Sequence, residues 1–191
     1  MAHNRKKMIS LAKRLLTHNL NGTTDQADAI MIKSVSDYTD KEIIQNQVDT
    51  IFNNYPLPIA LTIELPEKGT YKTLDVLNTP ILLTRSSDGV VRAFINVCKH
   101  RGAPVCEKGK GKKSQFSCTY HGWTYDNKGK LINIFQSDTF GDIDKTKIKL
   151  TELFCEERSG FIWVCINPDS EPNLSNWLAG FDEEINEIGL D

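Results

Sequence analysis

The chain has 191 residues, 39% hydrophobic and 25% charged, with a formal net charge of −2. That balance suits one soluble domain with an arm and argues against nucleic-acid or membrane affinity for the whole; no apolar run approaches the roughly 18 residues of a membrane span. Five cysteines with no evident disulfide framework fit a reducing compartment, the cytoplasm.

The first 24 residues carry Arg5, Lys6, Lys7, Lys13 and Arg14 and no acid. Met8, Ile9, Leu11, Ala12, Leu15, Leu16 and Leu20 recur at helical spacing, so an arm over 1–37 is expected to hold a basic amphipathic helix. Such an arm packs on its own domain or on a neighbouring subunit; a mitochondrial transit peptide is the other reading of this composition. A second helix is expected from Thr39 or Asp40 to Asn53, leading into the domain over 38–55, with Ile43, Ile44, Val48, Ile51 and Phe52 on one side.

From 56 to 168 the pattern changes to short alternating segments. Strands are expected at Tyr71–Val76, Ile81–Arg85 and Val90–Val97, the last two joined by Ser87-Asp88-Gly89. Gln115–Thr119 leads into the next loop, and Trp123–Tyr125 and Lys130–Ile134 are expected to form another hairpin across Asp126-Asn127-Lys128-Gly129. Leu150–Cys155 is expected to pair with Phe161–Ile166 across Arg158-Ser159-Gly160. The fold class is therefore mainly β, an antiparallel sandwich with helices before it. A Pro-bounded stretch at Asp169–Pro172 then opens a short helical segment, Asn173–Ile188, within a linker region over 169–191. Cys155 and Cys165 fall on strands as core residues; Cys106 reads as a bystander or a semi-exposed thiol.

Four residues carry chemistry. Cys98 and His100 form Cys-x-His, and Cys118 and His121 form Cys-x-x-His. Two thiolates and two neutral imidazoles in two loops suit a binuclear iron-sulfur centre whose irons are held differently, Cys on one and His on the other. The bland alternative is structural zinc, but zinc fingers order their ligands as a Cys pair and a His pair.

The first loop reads Asn96-Val97-Cys98-Lys99-His100-Arg101-Gly102-Ala103-Pro104, the second Cys118-Thr119-Tyr120-His121-Gly122-Trp123-Thr124-Tyr125-Asp126. Together they resemble the Rieske [2Fe-2S] domain of ring-hydroxylating oxygenase alpha subunits, a likeness running from about Asp37 onward. The resemblance implies a [2Fe-2S] cluster on Cys98, His100, Cys118 and His121. Arg101, Gly102, Tyr120, Gly122 and Trp123 would support it: the glycines bring backbone N–H groups to the sulfurs, and Trp123 covers the cluster. Both ligand loops are expected at hairpin ends. Respiratory Rieske proteins carry an extra, disulfide-forming Cys in each loop, where this chain has Ala103 and Tyr120. With no extra hydroxyl donor at Gly122 either, a potential near the low end of the Rieske range of roughly −150 to +300 mV is expected.

In the resembled family a second domain holds a mononuclear non-haem Fe(II) on two His and a carboxylate. The two remaining imidazoles, His3 and His18, lie in the arm, so that oxygen-activating site is expected to be missing here. The resemblance implies one-electron transfer as the N-terminal portion of a dioxygenase or monooxygenase alpha subunit. The donor would be a ferredoxin or flavin reductase, the acceptor the catalytic domain of the same or a neighbouring subunit in a homotrimer. A stand-alone Rieske ferredoxin is the alternative, though free ferredoxins are usually shorter. Lys99, Lys108, Lys110, Lys112 and Lys113 near the loops read either as a donor-docking rim or as a solvated Gly-Lys loop. One departure from the family pattern is Asn53-Asn54-Tyr55-Pro56, where a Trp and an aromatic-rich strand are common.

Overall fold

The computed structural model describes residues 2–189, with side chains from Arg5 onward. The chain forms two compact units, Met1–Asp40 and Lys41–Asp191.

The first unit contains α1 (Ala2–Asn21) and the single turn α2 (Ser36–Thr39). The expected amphipathic helix is present, and its end is tied down locally. Thr23 N–H donates to the His18 carbonyl at 3.0 Å, and Asp25 pairs with Arg14 at 3.3 Å and with His18 at 2.9 Å. That leaves His18 as a partner of Asp25, while the His3 side chain lies outside the described residues.

The second unit opens with α3 (Lys41–Gln47), which continues as a π-helical turn over Val48–Phe52. The expected helix starts one residue late because Asp40 is extended, with ψ 121°. Eleven strands follow: β1 (Leu57–Leu61), β2 (Thr70–Val76), β3 (Thr79–Arg85), β4 (Val91–Ile95), β5 (Lys110–Lys112), β6 (Gln115–Ser117), β7 (Thr124–Asp126), β8 (Leu131–Asn133), β9 (Glu152–Leu153), β10 (Cys155–Arg158) and β11 (Phe161–Val164). They make three antiparallel sheets, ordered β5-β2-β3-β4-β9, β1-β11-β10 and β6-β7-β8.

Strand β3 shows how the layers stack. Side chains on a strand alternate between faces, and here both faces are covered. Ile81 and Leu83 enter a core with Ile162 and Val164 of β11, whereas Leu82 enters a core with Phe116, Tyr125 and Leu131 of the β6-β7-β8 sheet. Each such burial is worth roughly 1.5–3 kcal/mol. The five-stranded sheet is thus the middle layer.

Two strands were not expected. β1 carries Pro58 and a register shift between Pro58 and Ala60, and β5 is Lys-Gly-Lys, with no apolar face to read. The Leu150–Cys155 expectation is corrected as well. β9 pairs with Ala93 and Phe94 of β4, the chain switches sheets at Phe154, and β10 pairs with β11 across Ser159-Gly160. Both turn residues have positive φ, 54° and 76°, as a tight two-residue hairpin with the sheet's twist requires.

The segment expected as a linker is packed. After Asn173 caps it by accepting from Asn176 N–H at 2.9 Å, α4 (Leu174–Leu178) runs into α5 (Phe181–Asn186), burying Leu174, Leu178 and Ile185 against Trp163. Leu190 and Asp191 lie outside the described residues.

Candidate metal centre

The two Cys/His loops are built on one plan. Gly102 N–H donates to the Cys98 carbonyl at 3.0 Å and Cys98 N–H to the Ala103 carbonyl at 2.8 Å. At the same spacing, Gly122 N–H donates to the Cys118 carbonyl and Cys118 N–H to the Trp123 carbonyl, both at 2.9 Å. Closing such a turn needs a left-handed residue before its last position, and Gly102 and Gly122 supply it, with φ 75° and 64°. The glycines make the expected tight turns, their own N–H groups going to the cysteine carbonyls. The backbone N–H that reaches Cys98 Sγ is that of His100.

Only the second loop is a hairpin end, joining β6 to β7. The first leaves β4, which pairs with β3 and β9, and ends at β5, which pairs with β2. A crossover of this length needs its own fastening, and buried Asn96 provides it. Its amide donates to the Cys106 carbonyl at 2.7 Å and accepts from the N–H groups of Val105 (3.2 Å) and Cys106 (3.0 Å), clamping the loop's outgoing limb to its incoming one. The hairpin is fastened to the middle sheet differently: the hydroxyls of Thr84 and Ser86 both donate to the Asn127 carbonyl, at 2.8 and 2.6 Å. Gly129 packs so closely on the Phe94 ring that a Cβ there would lie 2.6 Å from Cε1.

The four side chains arrive in two pairs. Cys98 and Cys118 are each 3% exposed, and Cys118 is among the groups that shift the Cys98 thiol. The rings of His100 and His121, half-buried, stand 4.6 Å apart between centroids at 76°. Trp123 stacks on His100 at 5.1 Å and 8°, Phe140 meets the same ring edge-on at 5.2 Å, and exposed Tyr120 covers His121 at 3.8 Å. Nothing in the sequence singled out Phe140.

Whether these residues fit an iron-sulfur cluster can be judged from the donors. Nδ1 of His121 is buried and has no hydrogen-bond partner among the described residues, the state of a nitrogen left for a metal. Burial pushes the Cys98 thiol up, and burial, His121 and Arg101 push His100 down. A cationic centre answers both, since it ionises the thiol and uses the neutral imidazole. A pair of thiols and a pair of imidazoles is a donor set that suits a cluster held by Cys on one iron and His on the other.

Tyr125 completes the surroundings. Its hydroxyl accepts from Lys99 N–H at 3.1 Å and lies 3.4 Å from Cys98 Sγ. With a neutral thiol either atom could donate; toward a thiolate, which has no proton, the Tyr125 O–H is the donor. The indole Nε1 of buried Trp123 has no partner among the described residues, and Arg101 is exposed. Cys106 is buried, not semi-exposed.

The lysines do not form one rim. Lys99 reaches Thr151 Oγ1 at 2.5 Å, next to β9, while Lys110 and Lys112 lie on β5 at the opposite edge of the five-stranded sheet. Lys108 and Lys112 are paired with Asp75 (2.5 Å) and Glu67 (2.7 Å), and Lys113 sits over the Tyr71 ring at 5.4 Å.

Residues 56–148 match the family of the Rieske [2Fe-2S] domain. The chain carries a Rieske domain. It is 32% identical over 154 residues to the glycine betaine monooxygenase oxygenase subunit of Chromohalobacter salexigens, covering 81% of this chain and 34% of that protein. It is 30% identical to the chlorobenzene dioxygenase alpha subunit of a Cupriavidus species, covering 74% and 32%. The Rieske domain and its flanks superpose on the apo form of the quaternary ammonium Rieske monooxygenase CntA with a TM-score of 0.72 and 31% identity, over 80% of this chain and 44% of that one. The chain thus spans about a third of the curated relatives' length. It is homologous to the N-terminal region of ring-hydroxylating oxygenase alpha subunits, which are oxidoreductases. A Rieske domain implies a [2Fe-2S] cluster. No helix among the described residues is long and apolar enough to cross a membrane.

Proposed function

We propose that Cys98 and Cys118 hold one iron and His100 and His121 the other, and that residues 56–168 are the electron-entry domain of a ring-hydroxylating oxygenase. Electrons would come from a ferredoxin or flavin reductase. They would leave for a mononuclear non-haem Fe(II) site in a catalytic domain, of the same or a neighbouring subunit of a homotrimer. In this reading 169–191 leads toward that domain, 1–37 is an arm and 38–55 a lead-in. The five free thiols suit the cytoplasm.

The observation that carries the reading is the layered donor set, two buried thiols behind two half-exposed imidazoles, one with an unpartnered Nδ1. When bound, a cluster of this kind takes and gives single electrons, at a potential that imidazole ligands raise above an all-thiolate one. The chain's own residues do the rest. The matched loop turns hold the donors, and Tyr125 and the His100 N–H donate to the Cys98 sulfur. Trp123 and Tyr120 keep water from the imidazole faces while leaving ring edges near the surface for a partner protein. Anaerobic expression with iron and sulfide, followed by dithionite reduction, should give visible charge-transfer bands and a rhombic EPR signal, both lost in Cys98→Ser and His121→Ala. A colourless, EPR-silent protein that retains zinc would defeat the reading.

A further inference from the structure

The net charge of −2 belongs to the whole chain and hides its arm. Residues 1–24 hold five Lys and Arg and no acid, and α1, 20 residues long, arranges them in space. At 100° per residue, Met8, Ile9, Leu11, Leu15, Leu16 and Leu20 fall within one arc of about 180°. Lys6 and Lys13 border that arc on one side, Lys7 and Arg14 on the other, and Ser10 and Thr17 lie midway between the two borders. Polar residues enter the arc only near the helix ends, as Arg5 and Asn19 do. The apolar side chains are exposed, Met8 to 65% and Leu20 to 84%. A lone helix of this length is marginal in water, so a surface that takes its apolar half would also hold it folded.

The placement of the cations decides which surface that is. A groove in a protein presents carboxylates at fixed points, and one charged border is enough to meet them. Cations along both borders suit a helix lying in the plane of a bilayer, which meets headgroups to its left and right and acyl chains beneath. Lysine and arginine stems lie along the apolar side while their charges stay at headgroup level. Another α1 is a poor cover, because its cations would repel. We propose that α1 is an in-plane membrane anchor, its apolar half sunk into an anionic phospholipid surface and its bordering cations on the phosphates. Arg14 would exchange its exposed partner Asp25, at 3.3 Å, for a phosphate. The cytoplasmic leaflet offers such a surface. The anchor needs no cluster, so it stands or falls separately from the proposed electron transfer.

The test is co-sedimentation of the full chain with vesicles of phosphatidylglycerol and phosphatidylcholine in equal parts, against vesicles of phosphatidylcholine alone. Binding to the mixed vesicles is expected, weakened by salt and about tenfold or more weaker on the neutral ones. Lys6→Glu/Lys13→Glu should lower the partition constant about tenfold or more, a cation near the surface being worth a factor of about five. Leu15→Gln/Leu16→Gln should abolish binding while leaving the Rieske domain's melt unchanged. No binding, equal binding to both kinds of vesicle, or binding indifferent to the leucine pair would overturn the proposal. So would self-association lost in Leu15→Gln/Leu16→Gln without any vesicle binding, which would give the face to a second copy.

Discussion

The hydroxyl of Tyr125 and the thiol of Cys98, 27 positions apart in sequence, lie 3.4 Å apart in the core. The Lys99 amide holds the hydroxyl oxygen at 3.1 Å, and toward a metal-bound thiolate, which has no proton, the hydroxyl is the donor. A donor to a cluster sulfur stabilises the more negative, reduced state. The expectation of a low-end potential took no account of this hydroxyl, which acts in the opposite direction. Tyr125→Phe in cluster-loaded protein should lower the midpoint potential by tens of millivolts, about 59 mV being tenfold for one electron. Redox titration with the EPR signal intact decides it; an unchanged potential would remove Tyr125 as a donor.

The two loop glycines should not behave alike. A Cβ on Gly122 would lie 2.6 Å from Phe135 Cβ, close enough to the backbone that the loop itself must shift, whereas a Cβ on Gly102 meets nothing within 4 Å. Both have left-handed φ, a cost of about 1–2 kcal/mol for alanine. Gly122→Ala adds an overlap of about 1–3 kcal/mol. Urea unfolding of the two variants should therefore rank Gly122→Ala well below Gly102→Ala, and equal stabilities would refute the packing argument.

Asn96 carries the crossover loop. Removing its side chain leaves the carbonyl of Cys106 and the N–H groups of Val105 and Cys106 without their partner in a buried site. Each buried orphan costs about 1–3 kcal/mol, and the three are not additive. Asn96→Ala should lower stability by about 3 kcal/mol and reduce iron retained per chain. Full retention with an unchanged urea midpoint would show that the loop holds its shape without the clamp.

How much of this was legible in the sequence follows from where each signal resides. The ligand set is local: Cys-x-His and Cys-x-x-His with a glycine after each could be read directly, as could the apolar run of β3. The roles of Tyr125 and Asn96 could not, because a strand register and a loop's return path decide what those side chains touch. β5 hid because Lys-Gly-Lys has no alternation, and β1 because Pro58 and a bulge break its period. The lysines show the reverse: neighbours within fifteen positions in sequence, they are distributed over two sheet edges in space.

The ion pair between Arg85 and Glu157 yields the pH dependence. Arg85 donates two bonds to the Glu157 carboxylate, at 3.0 and 2.6 Å, and further bonds to the carbonyls of Gly89 and Leu65. Strand β3, its turn and the segment after β1 are thereby tied to β10. Hydrogen bonding from Arg85 holds the Glu157 carboxyl below its ordinary 4.5, against the opposing effect of partial burial. A folded-state pKa below the unfolded one means that the unfolded chain binds the proton more readily. The contribution is therefore complete above about 4.5 and is lost as pH falls through the folded value. Because the carboxylate is partly solvated, screening limits it to on the order of 1 kcal/mol. Glu157→Gln should cost about that much at neutral pH and nothing once the wild-type carboxyl is protonated, so the urea midpoints of the two proteins should converge on acidification. Parallel midpoints from pH 7 down to about 3 would assign the acid sensitivity to other carboxylates.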